Sequence, residues 1–260
     1  MITHCIIISV LLFIFTNAKA DTTEVIIIGT THNETENFNP DSLYNIFLKL
    51  QPHVILMESD STYMTYDYRL KDHIKDIANE TRAVTLYLES NNVHLRPYDI
   101  TNRDNYLNSF RRRRMERSFF EKLTELYESG NMSSNASSII NGLINSMDYA
   151  EYLSYNTPFE INRPENDTLI KEINYYEFEA FHQLINETPE LYEYGEYWQE
   201  HTNFWVMRNN AMVENIIRYA REFSGKRLIV LCGFSHKPYL QDGLKELVLN
   251  GEIIIKEYWE

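Results

Sequence analysis

Two histidines of this 260-residue chain each follow a glycine by three positions, and each glycine ends an apolar run. His32 follows Gly29 and the run VIII, whereas His236 follows Gly233 and the run LIVLC. An imidazole can bind a metal or move a proton near neutral pH. A single pattern of this kind is common and can place an ordinary loop histidine. Two of them, each closing an apolar run, favour a shared site.

Further polar residues could join the two histidines. Glu58 directly follows the apolar run VILM, although an acid there could equally stabilise the start of the next helix. Arg208 and Asn209 lie midway along a long helical pattern that leads towards the second histidine. An arginine in such a place is usually solvated or ion-paired, but here one end of the helix could overlook the same cleft.

Short, fully apolar runs rich in β-branched residues are typical of strands buried on both faces, as in parallel sheets. Residues 24–58 predict a βαβ unit, with a helix at Ser42–Leu50 between two such strands. Further strands are predicted at 93–99, 228–232 and 252–259. Parallel strands release their carboxyl ends at one edge of the sheet, where ligands bind. Glycine is expected to let the chain turn sharply there.

The rest of the chain reads as helical. Residues 63–91 look mostly helical, Thr101–Glu128 predicts one long helix, and residues 139–195 predict helices interrupted at prolines. A long amphipathic helix is expected at Glu196–Phe223, and another helix at Lys237–Leu249. The expected fold class is therefore α/β. It has a mostly parallel sheet with flanking helices and a helical insertion at about 101–195, between the N-terminal βαβ unit and the C-terminal strands, in a single domain at 21–260.

The amino terminus has the pattern of a secretory signal peptide at residues 1–20. An apolar run at Ile6–Phe15, too short to span a bilayer, precedes Ala18-Lys19-Ala20, a cleavage pattern that would leave Asp21 as the first mature residue. Export to the periplasm or the extracellular space is expected, with no transmembrane anchor in the mature chain. Cleavage removes one lysine and no acid, so the net charge changes from −14 to −15. That charge argues against nucleic acid as a partner.

The order of these motifs resembles the TraB/Tiki superfamily, which includes GumN-like bacterial proteins and is distantly similar to erythromycin esterases. The resemblance spans residues 24–249, although residues 60–195 match only in being helical. It is carried by two glycine–histidine motifs, the acid after the second strand and an R-N-x-x-M helix motif, at Gly29, His32, Glu58, Arg208, Asn209, Met212, Gly233 and His236. It implies an α/β core with a helical insertion and, for Tiki, a metal-dependent protease activity.

Two imidazoles and a carboxylate form a reasonable ligand set for a divalent metal such as Mn, Co or Zn. We expect His32, Glu58 and His236 to hold it, leaving an open position for water. The metal would acidify that water and polarise a carbonyl, while Arg208 stabilises the oxyanion and Asn209 orients substrate or water. The expected function is a metal-dependent hydrolase, metalloprotease-like, acting on a peptide or a small ester or amide.

Two other functions fit the same residues. In a metal-independent, esterase-like hydrolase, Glu58 or a histidine would act as general base on water. In a non-catalytic exported protein, the same cleft would bind a ligand without converting it, because fold alone does not define function. Metal content, turnover and ligand-induced thermal stabilisation distinguish the three.

Overall fold

A computed structural model describes residues 22–260, so the expected signal peptide at residues 1–20 and the expected mature terminus Asp21 lie outside the described residues. Five strands form one sheet in the order β3-β2-β4-β1-β5, and every neighbouring pair is parallel. The strands are β1 (Thr23–Thr30), β2 (Val54–Met57), β3 (His94–Pro97), β4 (Arg227–Gly233) and β5 (Ile253–Lys256). The predicted α/β class is confirmed.

Eleven α-helices occur among residues 22–260. They are α1 (Pro40–Leu50), α2 (Asn79–Ser90), α3 (Arg103–Leu107), α4 (Phe110–Glu128), α5 (Ser134–Ser154), α6 (Pro158–Asn162), α7 (Pro164–Tyr175), α8 (Phe181–Glu187), α9 (Gly195–Glu222), α10 (Lys237–Gly243) and α11 (Lys245–Leu249). A π-helical turn at Tyr176–Ala180 joins α7 to α8. No helix in this part of the chain is both long and apolar enough to cross a membrane.

The sheet is covered on both faces, which explains its almost uninterrupted apolar strands. Alternate residues of β1, such as Ile26 and Ile28, pack with α1 and α2, whereas Val25 and Ile27 pack with α9, α10 and α11. The α1 helix is well capped, because the Asn39 side chain accepts a hydrogen bond from the backbone N–H of Ser42.

The two strands that carry the glycine–histidine motifs are central neighbours. β1 pairs with β4 from Glu24 opposite Arg227 to Thr30 opposite Gly233. The chain leaves β1 through α1 towards β2 and leaves β4 through α10 and α11 towards β5, so the two connections run in opposite directions. Such a switch point opens a crevice at the carboxyl ends of the strands, where ligands bind in open α/β sheets.

The helical insertion has its own apolar core, formed by α4, α5, α8 and the first part of α9. Its centre contains Phe119, Phe181 and Trp198, with the ring centroids of Phe119 and Trp198 5.0 Å apart. As the prolines predicted, Pro158 and Pro164 each begin a helix and Pro189 begins a 3-10 turn. Proline suits a first helical turn because that N–H has no partner within the helix.

Three helix predictions were only partly right. Of residues 63–91, only Asn79–Ser90 is α-helical, because residues 61–78 contain two 3-10 turns and a bridge between Met64 and Leu70. Thr65 bonds the backbone of Arg69 there, and such side-chain bonds compete with a helix. The helix predicted at Thr101–Glu128 is divided into α3 and α4, and that at Lys237–Leu249 into α10 and α11.

The glycines of the two motifs serve a different purpose from the one predicted. Gly29 lies inside β1, and neither Gly29 nor Gly233 is among the residues with a positive φ. A Cβ on Gly29 would lie 3.1 Å from the Cα of Phe234 and 3.3 Å from Oδ1 of Asn162. Gly29 is therefore required by close packing and not by a sharp turn.

Candidate active site

The three predicted ligands lie together around Gly233. A Cβ on this glycine would be 3.4 Å from His32 Nε2, 3.6 Å from Glu58 Oε2 and 3.8 Å from His236 Cδ2. Nε2 of His236 lies 3.6 Å from Oε1 of Glu58. The bare backbone of Gly233 thus forms the floor on which side chains from three strand ends meet.

Arg208 reaches this floor from α9 and is 8% exposed. Its Nε donates to both carboxylate oxygens of Asp99 at 3.0 Å, and its Nη2 donates to Asp99 Oδ2 at 2.7 Å and to Oε1 of Glu58. Its Nη1 lies 3.1 Å from Nε2 of His236. A guanidinium has five N–H donors. The contacts above use the Nε hydrogen, both Nη2 hydrogens and one Nη1 hydrogen, so the second Nη1 hydrogen is left for a substrate.

Glu58 is an ionised anchor for this cluster. Its Oε2 accepts the backbone N–H of Gly233 at 2.6 Å, and its Oε1 accepts from Arg208. Burial opposes its charge, but the pKa of Glu58 is lowered to about 2 by the charge of His236, which is protonated only at the acid pH where Glu58 titrates, and by the charges of Arg208 and His32. Because the carboxylate is ionised and both its oxygens are engaged, Glu58 is a poor general base in this arrangement.

His236 is held as a neutral imidazole in one tautomer. Asn209 uses its Nδ2 to donate to the carbonyl of Trp205, so its Oδ1 must accept the Nδ1–H of His236, at 2.7 Å. Nε2 of His236 then accepts from Arg208. Burial lowers the pKa of His236 to about 4, and the Trp205 ring stacks on it at 4.3 Å. Asn209 is fully buried, so it orients His236 and does not reach a substrate.

His32 has the most open nitrogen of the group. Its Nδ1 lies 2.9 Å from Oε1 of Glu80, which Thr30 also contacts. No described side chain bonds its Nε2, and the His32 side chain is 58% exposed. The hydrogen bond to Glu80 is the main reason that the pKa of His32 is raised to about 9, and the charge of Glu58 adds to it. Water reaches the ring and screens part of this effect.

A cavity of about 450 Å³, here called the site cavity, opens above these residues. Its walls include His32, Glu58, Arg208, His236 and Trp205. The remaining walls come from the loop after β1, from Ser154 and Tyr155 at the end of α5, from Glu177 in the π-helical turn and from Phe234 and Ser235. The helical insertion therefore lies over the carboxyl edge of the sheet and completes the cavity.

The present arrangement does not fit a three-ligand metal site. A metal would have to lie between Glu58 and His236, where the guanidinium of Arg208 already bonds both. Only His32 offers a nitrogen that no described residue engages. Consistently, no group of three or more His, Cys, Asp or Glu side chains among residues 22–260 has the arrangement of a metal site. Metal binding by His32, Glu58 and His236 stays a prediction.

Sequence reasoning did not assign a role to four residues of the site. Two of them are Asp99 and Arg103: Asp99 follows the end of β3, and its carboxylate binds Arg208 at 2.7 Å and Arg103 at 3.0 Å. Glu80 comes from the first turn of α2 and Trp205 from α9, and no motif marks either. Glu80 and Trp205 can be identified only from the structure, where Glu80 contacts His32 and Trp205 contacts His236.

Comparison with known proteins returns no relative from which a role could be transferred. No protein-family model, curated protein sequence or solved structure matches this chain. The functional argument therefore depends on the geometry of the site.

Proposed function

We propose that this protein is an exported hydrolase of peptide, amide or ester bonds in which His32, paired with Glu80, moves the proton. The observation that carries the proposal is the hydrogen bond of His32 Nδ1 to a buried carboxylate, which leaves Nε2 open beside a fixed, charged cluster. A carboxylate that holds one imidazole nitrogen sets the tautomer and strengthens the other nitrogen as a base.

The residues divide the chemistry between them. Unprotonated Nε2 of His32 takes a proton from water as the water attacks the substrate carbonyl, and later returns it to the leaving group. The remaining Nη1 hydrogen of Arg208 is directed at the negative charge that develops on the carbonyl oxygen. Glu58 and Asp99 hold the guanidinium still, and His236 shares its third side. A preorganised donor of this kind needs no rearrangement during the reaction.

The metal-dependent hydrolase is the second candidate, and one observation favours it. An imidazole whose far nitrogen donates to a carboxylate is the usual state of a histidine that binds a metal, and His32–Glu80 has this form. The resemblance to the TraB/Tiki superfamily supports the same candidate. It would require Arg208 to move away from Glu58 and His236, and the metal would then supply Lewis-acid polarisation.

The test is hydrolysis of a panel of fluorogenic esters and peptides by the purified mature chain, before and after chelation and with added Mn²⁺, Co²⁺ or Zn²⁺. We expect turnover that survives chelation and is lost in His32→Ala. The matched control is His182→Ala, because His182 lies in the insertion and bonds Thr202. Activity that returns only with metal would establish the second candidate. Ligand-induced thermal stabilisation without turnover would identify a binding protein and end the hydrolase proposal.

A further inference from the structure

A second cavity, of about 280 Å³, lies inside the helical insertion and is here called the insertion cavity. Its walls are mainly apolar and come from five helices, α4, α5, α7, α8 and α9, and from the π-helical turn, with Phe120, Leu143, Met147, Ile173 and Phe181 among them. The mechanism proposed above uses none of these residues. An apolar cavity of about 150 Å³ can hold benzene, so this one has room for a branched aliphatic or single-ring group.

Glu177 lies between the two cavities, because it is a lining residue of both. It belongs to the π-helical turn between α7 and α8, and such turns are frequent at functional sites. No hydrogen bond or ion pair joins its carboxyl group to another described residue. Desolvation by the surrounding helices, with the nearby charge of Glu116, raises the pKa of Glu177 to about 7, and solvent that reaches this exposed residue screens part of the effect. A carboxyl group without a partner at the junction is suited to accept a hydrogen bond from a ligand.

We propose that the insertion cavity is the specificity pocket of this hydrolase, and that it takes an apolar side chain of a peptide-like substrate whose neighbouring backbone N–H donates to Glu177. This inference rests on the function proposed above. The polar site cavity receives the bond to be cleaved, and the apolar side chain crosses the junction at Glu177. A substrate with a glycine in place of the apolar residue loses this contact.

The expected preference follows from the area that an apolar side chain removes from water. Complete burial of a leucine side chain favours binding enough to change affinity about tenfold or more. A simple alkyl ester would fill the pocket but would present no N–H to Glu177. A peptide-like amide satisfies both features, which is why the inference selects that substrate class.

The experiment measures binding without turnover, in the His32→Ala protein. The dissociation constants of N-acetyl-leucinamide and N-acetyl-glycinamide are determined by NMR titration of the labelled protein. We expect the leucine probe to bind about tenfold more tightly or better. Ala150→Phe, which fills the insertion cavity from α5, should remove the difference. Ile144→Phe is the matched control, because it adds the same ring to an exposed position of α5 and should preserve the difference.

Three further variants keep the test decisive. Met147→Trp fills the cavity from a side chain that is already 57% exposed, so it covers the case in which Ala150→Phe fails to fold. Glu177→Leu should weaken both probes by a similar factor, whereas Glu177→Gln keeps an acceptor and should retain binding.

Equal affinities for the two probes, or a leucine preference that survives both filling variants, would overturn the inference. Failure of the hydrolase proposal has a different signature. In that case the wild-type chain binds the leucine probe selectively but hydrolyses no member of the panel. Hydrolysis without any leucine preference would refute the specificity pocket alone.

Discussion

Replacing Glu80 by glutamine should lower the pKa of His32 markedly while changing the shape of the site very little. The hydrogen bond to Glu80 is the largest contribution to the rise from the ordinary value of 6.5 to about 9. Glutamine has the same length but no negative charge. Because the His32 side chain is 58% exposed, water screens part of the interaction, so we expect a fall of at least about one pH unit.

The same pair makes stability depend on pH with a defined sign. The folded state holds the His32 proton more tightly than the unfolded chain, so the contribution of Glu80 is fully present below about pH 6.5. It is lost as the pH rises through about 9. The difference in free energy of unfolding between the wild-type protein and Glu80→Gln should therefore be largest near pH 6 and smallest near pH 10.

The assay is an NMR titration of the His32 ring, assigned by comparison with His32→Ala, together with urea unfolding at the two pH values. His182 is the internal control: its ring bonds Thr202, so its titration should be the same in both proteins. If the catalytic base is His32, the pH at which kcat/KM reaches its plateau should fall with the titration. An unchanged His32 midpoint in Glu80→Gln would refute the assignment of the raised pKa to this pair.

Three further substitutions, at residues that hold the site together, are tested by urea unfolding. Arg208→Met should cost about 3–5 kcal/mol of stability and abolish turnover, because it leaves Glu58 and Asp99 buried without this cation. Asn162→Ala should cost about 1–3 kcal/mol, because the Asn162 side chain bonds both the backbone N–H of Gly29, at 2.7 Å, and its carbonyl, at 2.8 Å. Gly29→Ala should cost about 1–3 kcal/mol, because the added methyl group meets backbone at 3.1 Å.

Each of these changes has a matched control elsewhere in the chain. Arg221→Met removes an ion pair whose arginine is 60% exposed, and Asn156→Ala removes a bond from the segment after α5 to the last turn of that helix. Gly195→Ala adds a methyl group with no atom closer than 3.8 Å. We expect little loss of stability in any of them. If the control variants lost as much stability as the site variants, burial and close packing at Arg208, Asn162 and Gly29 would not explain the effect of changing them.

Much of the site could be predicted because its residues follow buried parallel strands, which are recognisable in the sequence. Apolar runs rich in β-branched residues mark buried parallel strands, and such strands end at one edge, so His32, Glu58 and His236 were expected at the same edge of the sheet, where they do lie together. The prediction depended on β1 and β4 being neighbours, which they are. The chemistry at that edge was harder to predict, because it depends on which atoms Arg208 bonds, and the spacing of residues in the sequence does not show those contacts.

Glu80, to which the sequence assigned no role, and Asn209, which was expected to orient substrate or water and instead bonds His236, show two reasons why the prediction of the site was incomplete. Glu80 begins a helix whose start was placed too early, since side-chain bonds in residues 61–78 replaced the expected helix. Asn209 lies on the same stripe as Trp205, Met212 and Ile216, at helical spacing, so its burial could have been read from the sequence. Its partner could not, because His236 comes from a different element.

The position of β4 in the sheet has a consequence for how the molecule is assembled. β1 and β2 are adjacent in sequence but do not pair, since β4 lies between them, about 200 residues after β1 in the chain. Synthesis therefore proceeds through the whole helical insertion before β1 has any strand to bond. Closing so long a loop is slow, and it makes β4 the last central piece to arrive. The reaction centre thus exists only in a nearly complete chain. A chain that stops before β4 lacks the strand that joins β1 to β2, and so does not bring His32 and Glu58 together.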